Sequence, residues 1–260
     1  MIINQANIDN LTHLWKKYGT RTLKLKTTQN ERQSSLLHIN THWPYRCWFD
    51  EPYLRQDTLA LESLPPSTIY PVWPNFSLKQ KTKQTLAEQH KVERELSSNN
   101  WRCILEQTAM FFPLNQQTTA ELANYHSAST NFSVKKLTTV TELALWLNIA
   151  SKAFGYAIEQ LVFEKLMAEQ DSQILLAYDN NVPVATALLF KTDNIIGIHQ
   201  VAVHPNMQGK GYARMLMKAL INKSYEWQGS HIVLQASAAG KPLYDSLGFK
   251  NQFLIKSYQK

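Results

Sequence analysis

The chain has 260 residues, 44% of them hydrophobic, and a formal net charge of +7 at pH 7. This length suffices for one large domain or two of ordinary size. No apolar run approaches the roughly 18 residues of a membrane-spanning helix, so we expect a globular protein with no membrane partner. Two cysteines, Cys47 and Cys103, are too few for a disulfide framework. We therefore expect reduced thiols, and because no cysteine–histidine cluster has zinc spacing, no metal.

The net charge and the N-terminal residues indicate the cellular compartment and the class of binding partner. Met1–Gln5 has neither the basic region nor the apolar core of a secretory signal, so we expect a cytoplasmic protein. The positive charge indicates either an acidic partner such as nucleic acid, or a cleft for a phosphate-bearing ligand. Because the basic residues are scattered and accompany no known nucleic-acid-binding module, we do not expect nucleic acid as a partner.

Composition changes along the chain. Seven of the ten prolines lie at or before Pro113, whereas only Gly19 of the eight glycines precedes residue 155. This asymmetry predicts two units: an N-terminal domain over residues 1–114 and a second domain over residues 131–260. A linker rich in Gln, Thr, Ala and Ser, residues 115–130, joins them.

Hydrophobic spacing and helix-stop signals predict the elements of the first unit. These are a helix near residues 7–18, a strand at 35–39, a charged surface helix from 78 to about 97 and a strand at 101–114. Between the first strand and the charged helix, an aromatic cluster, Trp43–Phe49, surrounds Arg46. The cluster is typical of a core, the interpretation we favour, although it could also line an acceptor pocket.

The second unit has clearer periodicity. Thr139 and Glu142 form a capping-box pattern that predicts a helix through about residue 153. The other predicted helices are at 156–169, after residue 211, and in a short segment ending at 248. The predicted strands are at 132–137, 174–178, 184–190, 195–203, 231–236 and 253–258, with a hairpin turn at 179–181.

A glycine-rich segment follows the strand that ends at Val203. It consists of Gln208, Gly209, Lys210, Gly211, Tyr212, Ala213 and Arg214. Its two glycines allow backbone N–H groups to turn inward, and the next helix adds its positive end, so the loop should hold an anion such as pyrophosphate. A Walker A loop is excluded because Gly211 follows Lys210, and a dinucleotide fingerprint is excluded because position 214 is arginine.

The pattern Gln208-x-x-Gly211-x-Ala213 resembles the coenzyme signature of the GCN5-related N-acetyltransferase (GNAT) superfamily. Downstream, Leu243-Tyr244-Asp245-Ser246-Leu247-Gly248-Phe249 is similar to the closing segment of that family. The resemblance covers about residues 131–260. It implies an α/β fold with a mixed sheet flanked by helices, accompanied here by an N-terminal α/β domain. Residues 78–114 echo the end of such a fold, so the first unit is interpreted as a degenerate second copy.

The resemblance also implies a set of site residues. Acetyl-CoA would be the cosubstrate, held by the backbone of Val201, Ala202 and Val203 and by the loop of Gln208, Gly209, Lys210, Gly211, Tyr212, Ala213 and Arg214. Ser237 stands where relatives often carry an asparagine that contacts the coenzyme. Tyr244 would stabilise the leaving thiolate, and His199 is the candidate base, although many relatives use only a water chain.

These residues together predict an N-acetyltransferase that transfers acetyl directly from acetyl-CoA to an amine. We expect a small-molecule amine rather than a protein amine as acceptor. One alternative is a regulatory module that binds acyl-CoA without turnover. Another is a protein- or RNA-modifying acetyltransferase recruited by its basic surface. A homodimer is compatible with the sequence, since dimers are the commonest oligomers.

Overall fold

The computed structural model describes residues 3–26, 34–50, 64–76, 82–118 and 131–260. The helices are α1 (Ile3–Lys17), α2 (Thr82–Ser98), α3 (Val140–Phe154), α4 (Gln160–Met167), α5 (Tyr212–Glu226) and α6 (Lys241–Ser246). The strands are β1 (Thr20–Lys26), β2 (Ser34–Asn40), β3 (Cys47–Phe49), β4 (Ile69–Val72), β5 (Arg102–Pro113), β6 (Phe132–Lys136), β7 (Ser172–Asp179), β8 (Val182–Thr192), β9 (Ile195–Val203), β10 (His231–Ser237) and β11 (Lys250–Gln259).

Eight of these strands form one mixed sheet, in the order β4-β11-β5-β10-β9-β8-β7-β6. β9 and β10 run parallel, and the other neighbours are antiparallel. β1, β2 and β3 form a separate antiparallel sheet. The predicted mixed sheet flanked by helices is therefore confirmed.

Helices cover both faces of the large sheet because successive side chains of a strand point to opposite sides. On one face, Ile174, Leu176, Leu188 and Phe190 join a core with side chains of α1, α3 and α4. On the other face, Leu175, Ala187 and Leu189 pack with the buried stripe of α5 formed by Leu216, Met217, Leu220 and Ile221. The sheet is apolar on both faces, as expected for a central layer.

Both halves of the chain contribute to the large sheet. β5 lies between β10 and β11 and is antiparallel to both, and β4 pairs with the outer edge of β11. The interpretation of residues 1–114 as a separate domain, and as a degenerate copy, stays a prediction. Two of its strands, β4 and β5, share backbone hydrogen bonds with β10 and β11. Of the predicted linker, residues 119–130 lie outside the described residues.

Most predicted elements are confirmed, and the exceptions have local causes. The capping box is present, because the Thr139 hydroxyl accepts from the Glu142 N–H at 3.2 Å. The helix expected from residue 156 begins at Gln160, because the backbone of Glu159 is extended, with φ −73° and ψ 120°. β1 and β3 were not predicted. The start of the charged helix, at 78–81, lies outside the described residues.

Gly197 in β9 determines how closely α1 approaches the sheet. A Cβ at this position would overlap Asn10 Oδ1 and His199 Nε2. Overpacking of a filled core usually costs about 1–3 kcal/mol. We expect Gly197→Ala to lower the free energy of unfolding by about that amount, measured by urea denaturation.

A double-mutant cycle provides the control for Gly197→Ala. Asn10→Ala removes one of the two overlapping atoms, so the cost of Gly197→Ala should be smaller in that background. An unchanged free energy of unfolding in Gly197→Ala would show that α1 does not pack against β9 as described.

Candidate active site

The parallel strands β9 and β10 separate partway along their length. They pair between Ile195–Gly197 and His231–Val233, although β9 continues to Val203 and β10 to Ser237. Beyond Gly197, the edge of β9 that faces β10 therefore has no strand partner among the described residues. Unpaired strand edges present a row of N–H and C=O groups to a ligand.

A bulge in β9 lies at the start of this split. The register with β8 shifts between the pairs Thr186–Ala202 and Leu188–His199, which leaves Gln200 with a φ of 52°. The backbone carbonyl of Gln200 accepts a hydrogen bond from Thr186 Oγ1 at 3.1 Å. The side-chain Oε1 of Gln200 is buried without a hydrogen-bond partner among the described residues. Bulges and left-handed non-glycine residues are concentrated near functional sites, since they redirect side chains at an energetic cost.

A cavity of about 650 Å³ extends from the split into the N-terminal half. Its volume lies within the range of about 300–1,000 Å³ typical of small-molecule sites. The sheet and α6 contribute Ile198, His199, Gln200, Val201, Leu234, Gln235, Ser237 and Tyr244 to its lining. The N-terminal half contributes Leu11, Leu14, Trp15, Tyr18, Trp43, Pro44, Tyr45 and Arg46, among others. Elements of both halves therefore enclose the same space.

The glycine-rich loop lies beyond the far end of β9. Gly209 and Gly211 have φ values of 77° and 84°, in the left-handed region, and Gly211 is the N-cap of α5. No backbone carbonyl of the described residues accepts from the N–H groups of residues 209–213. The loop thus presents consecutive free donors at a helix N-terminus, the arrangement that binds phosphates in other proteins.

The side chains around the loop hold it in place. Gln208 Nε2 donates to the Val203 carbonyl at 3.4 Å, and the Tyr212 hydroxyl donates to Asp179 Oδ2 at 2.6 Å. Arg214 Nη2 donates to Ser246 Oγ at 2.8 Å, which places this guanidinium beside α6. The exposed Lys210 ammonium lies 3.6 Å from the sulfur of Met207. Two exposed cations therefore flank the loop.

Tyr244 and Ser237 lie on the β10 side of the split. The Tyr244 ring packs edge to face on Phe249 at 5.7 Å between centroids, and no described residue bonds its hydroxyl. Burial raises the pKa of Tyr244 to about 12, so the phenol is a neutral hydrogen-bond donor at physiological pH. Ser237 Oγ accepts from the Gly240 N–H at 3.2 Å, which stabilises the turn into α6.

His199 lies on β9 within hydrogen-bonding distance of α1. Its Nε2 is 3.1 Å from Asn10 Oδ1, and the Asn10 amide donates to the Phe190 carbonyl and Thr192 Oγ1, both at 3.0 Å. Asn10 thus offers its oxygen to the histidine, so Nε2 carries the proton and Nδ1 is the acceptor. Burial lowers the pKa of His199 to about 3, which leaves the imidazole neutral and weakly basic.

The lowered pKa of His199 makes folding stability depend on pH. Below the usual histidine pKa of about 6.5, the unfolded chain binds a proton that the folded chain does not accept until its pKa of about 3. Stability contributed above pH 6.5 is therefore lost as the pH falls, by about 3 kcal/mol between pH 6.5 and pH 4. Urea unfolding as a function of pH should show this loss.

His199→Gln isolates that contribution, because its amide can still donate to Asn10. The wild-type decline below pH 6.5 should be steeper than that of the variant. Equal slopes in the two proteins would mean that His199 titrates normally and is not buried as described.

Within the described parts of the chain, no group of three or more His, Cys, Asp or Glu side chains could hold a metal ion. No helix described here is long and apolar enough to cross a membrane. Cys47 is buried and Cys103 is exposed, both as free thiols.

Comparisons with known proteins agree with this geometry. Residues 134–256 match the family model described as "Acetyltransferase (GNAT) domain". Over these residues the chain is similar to GNAT acetyltransferase domains. The range that matches the family model does not include β4 and β5. These two strands extend the sheet beyond the matched range.

Solved structures share this fold at low sequence identity. A GCN5-related N-acetyltransferase from Kribbella flavida is 13% identical, with a TM-score of 0.66 over 100% of this chain and 95% of that one. One from Sphaerobacter thermophilus is 14% identical, with a TM-score of 0.59 over 88% and 77%. A GNAT-like protein from Streptococcus suis is 15% identical, with a TM-score of 0.58 over 95% and 92%. At these identities the similarity concerns the fold alone.

The structure brings together most of the predicted site residues and adds others. Val201, Ser237, Tyr244 and His199 line or border one cavity, and the loop lies at the end of the same strand. Asn10 and Gln200 were not predicted, and no local signal marks them. The sequence indicated Arg46 only as a member of the aromatic cluster. That cluster is divided, because residues 43–46 line the cavity while residues 47–49 are buried as β3.

Proposed function

We propose that this protein is an N-acetyltransferase that uses acetyl-CoA as cosubstrate and acetylates a small amine directly. The observation that carries the proposal is the course of β9. The strand runs from the cavity, at Ile198–Val201, to the loop of free N–H groups around Gly211. A long thioester with a phosphate-bearing end fits such a path.

The binding roles follow from that path. The loop N–H groups, with Lys210 and Arg214, would hold the phosphates by charge-assisted hydrogen bonds. The unpaired edge of β9 at Val201–Val203 would bond the extended arm as a strand bonds its neighbour. The thioester would then reach the cavity beside Tyr244. Ser237, already bonded to Gly240, could still donate its own proton to the arm.

The reaction needs one bond formed and one broken. The free amine nitrogen attacks the thioester carbonyl carbon, the new C–N bond forms, and the C–S bond breaks with its electron pair on sulfur. With a pKa of about 12, Tyr244 is a weaker acid than a thiol of pKa about 8.5, so it donates a hydrogen bond to the thiolate rather than a whole proton. The sulfur takes its proton from solvent.

The amine proton must also leave. With a pKa of about 3, His199 does not take up that proton at neutral pH, so we assign its Nδ1 the role of accepting a hydrogen bond from a water molecule, and that water takes the proton from the amine. Neither Cys47 nor Cys103 belongs to the described cavity lining, which favours direct attack over a thiol intermediate.

We place the acceptor in the part of the cavity that lies beyond the thioester. Aromatic walls enclose the region beyond the thioester, which suits a small molecule rather than a folded protein. The predicted cytoplasmic location and the compatible homodimer stay predictions. A regulatory module without turnover would bind acetyl-CoA but release no thiol with any amine.

Thiol release from acetyl-CoA tests the proposal. Purified protein would be given acetyl-CoA with representative amines of different classes: amino acids, polyamines, aminoglycosides and a short peptide. Saturable, amine-dependent thiol release supports an N-acetyltransferase. Acetyl-CoA binding with no amine-dependent release would instead favour the regulatory module. Acetylation of RNA or protein that weakens steeply with salt would favour recruitment by the basic surface.

A further inference from the structure

Arg46 lines the cavity between α1 and the edge of the large sheet. Its Nη1 donates to Ser257 Oγ at 2.7 Å, and its guanidinium carbon lies 5.4 Å from the centroid of the Trp15 ring. The backbone of Arg46 is fixed by a bridge to Ile69 and by the Asn40 N–H, which donates to its carbonyl at 2.8 Å. The side chain is therefore held in place rather than free in solvent.

The charge of Arg46 has no counter-ion in the described structure. The cavity lining contains no carboxylate, and no described acidic side chain forms an ion pair with Arg46. Burial lowers the pKa of its guanidinium to about 10, which still leaves it protonated at neutral pH. A guanidinium has five N–H donors, and an opposite charge stabilises a guanidinium in this half-buried position. This site is thus complementary to an anion.

The surrounding groups narrow the kind of anion. Arg46 is the one formally charged group among the described lining residues, since His199 is neutral. No lysine belongs to the described lining. One guanidinium fork matches the two oxygens of a single carboxylate, whereas a phosphate dianion would leave excess negative charge buried.

We propose that Arg46 binds a carboxylate of the acceptor, so that the substrate is an amine of the amino-acid class with an aromatic or large apolar body. This deepens the function proposed above and rests on it. The aromatic walls of Trp15, Tyr18, Trp43 and Tyr156 contact the body of the acceptor, and the split between β9 and β10 receives its nitrogen. Because no carboxylate lines the described cavity, no side-chain ion pair there holds the acceptor nitrogen as an ammonium.

Matched acceptor pairs test the assignment. The probes are L-phenylalanine with L-phenylalaninamide, and L-tryptophan with tryptamine, since each pair differs at the carboxylate. KM and kcat come from thiol release, and binding is measured by calorimetry in the presence of CoA. In the wild type, the member with a carboxylate should have a KM at least about 10-fold lower than its partner without one.

Variants identify the residue responsible. Arg46→Gln should raise the KM for the carboxylate members by about 10-fold or more, abolish their preference over the partners without a carboxylate, and leave the KM for acetyl-CoA unchanged. Arg46→Lys keeps the charge but not the two-pronged guanidinium. Its KM for the carboxylate acceptors should lie between those of the wild type and Arg46→Gln. Arg102→Gln, which removes an exposed arginine outside the cavity lining, should match the wild type.

The outcomes separate this inference from the function on which it rests. If acetyl-CoA binds and amines release thiol, but carboxylates show no advantage in turnover or binding, the assignment of Arg46 is wrong and the acetyltransferase stands. The wild-type comparison decides this even where a variant fails to fold. If acetyl-CoA does not bind, the proposed function itself fails. If Arg46→Gln lowers kcat/KM equally for both acceptors of a pair, the role of Arg46 is structural.

Discussion

Gly211→Asp is expected to weaken acetyl-CoA binding by about 10³-fold. The substitution adds a carboxylate at the N-cap of α5, where the loop N–H groups converge. Two like charges about 4 Å apart repel by about 4 kcal/mol near a protein surface, which corresponds to roughly that factor. The affinity would be measured by calorimetric titration of acetyl-CoA.

Two other glycine variants separate charge from backbone strain. Gly211→Ala adds no charge to the loop, and no atom lies within 4 Å of the added Cβ. The variant should therefore be destabilised only by the roughly 1–2 kcal/mol that a residue with a Cβ costs in the left-handed conformation. Gly19→Asp places the same charge at another exposed left-handed glycine, with φ 93° and equally open space. It should bind acetyl-CoA as the wild type does. Equal affinities of Gly211→Asp and Gly19→Asp would contradict the placement of the phosphates.

Tyr244→Phe is expected to lower kcat by about 10²-fold, with the KM for acetyl-CoA changed less than about twofold. The lost hydroxyl contacts the sulfur only as negative charge develops on it, and interactions of that kind act on kcat rather than on binding. Folding should be retained, because the ring keeps its packing against Phe249 and no described partner of the hydroxyl is lost. Steady-state kinetics of thiol release with a saturating amine would measure the effect.

The comparison variant for this experiment is Tyr225→Phe. Tyr225 is an exposed tyrosine of α5 that does not belong to the cavity lining, so its removal should leave kcat unchanged. Because Tyr244 stays protonated up to about pH 12, the wild-type rate should not fall between pH 7 and about pH 10 through this residue. An unchanged kcat in Tyr244→Phe would remove the residue from the mechanism.

Local patterns account for what the sequence predicted well. The strand, glycine loop and helix from Ile195 to Glu226 are specified by neighbouring residues, since the two left-handed glycines and the apolar stripe of α5 require no distant contact. The same holds for the hairpin turn, where Asn180 and Asn181 have φ values of 50° and 64°. The family resemblance rests on these segments, and the match at residues 134–256 confirms it.

The rest depends on contacts between residues far apart in the chain. β5 enters the sheet between β10 and β11, more than 100 residues later, and no periodicity in 102–113 specifies that register. Asn10 meets His199 across 189 positions, so the burial that depresses its pKa could not be predicted from β9 alone. The bridge between Arg46 and Ile69 sets the position of Arg46 in the cavity. Because this contact is distant in the sequence, the local pattern indicated only that Arg46 belongs to an aromatic cluster.

Calorimetric titration of acetyl-CoA into the wild-type protein tests most directly whether β9 and the loop at Gly211 form a coenzyme site. We expect saturable binding at one site per chain, lost in Gly211→Asp and retained in Gly19→Asp. Absence of binding to the folded wild type would contradict the coenzyme site and, with it, the proposed acetyltransferase.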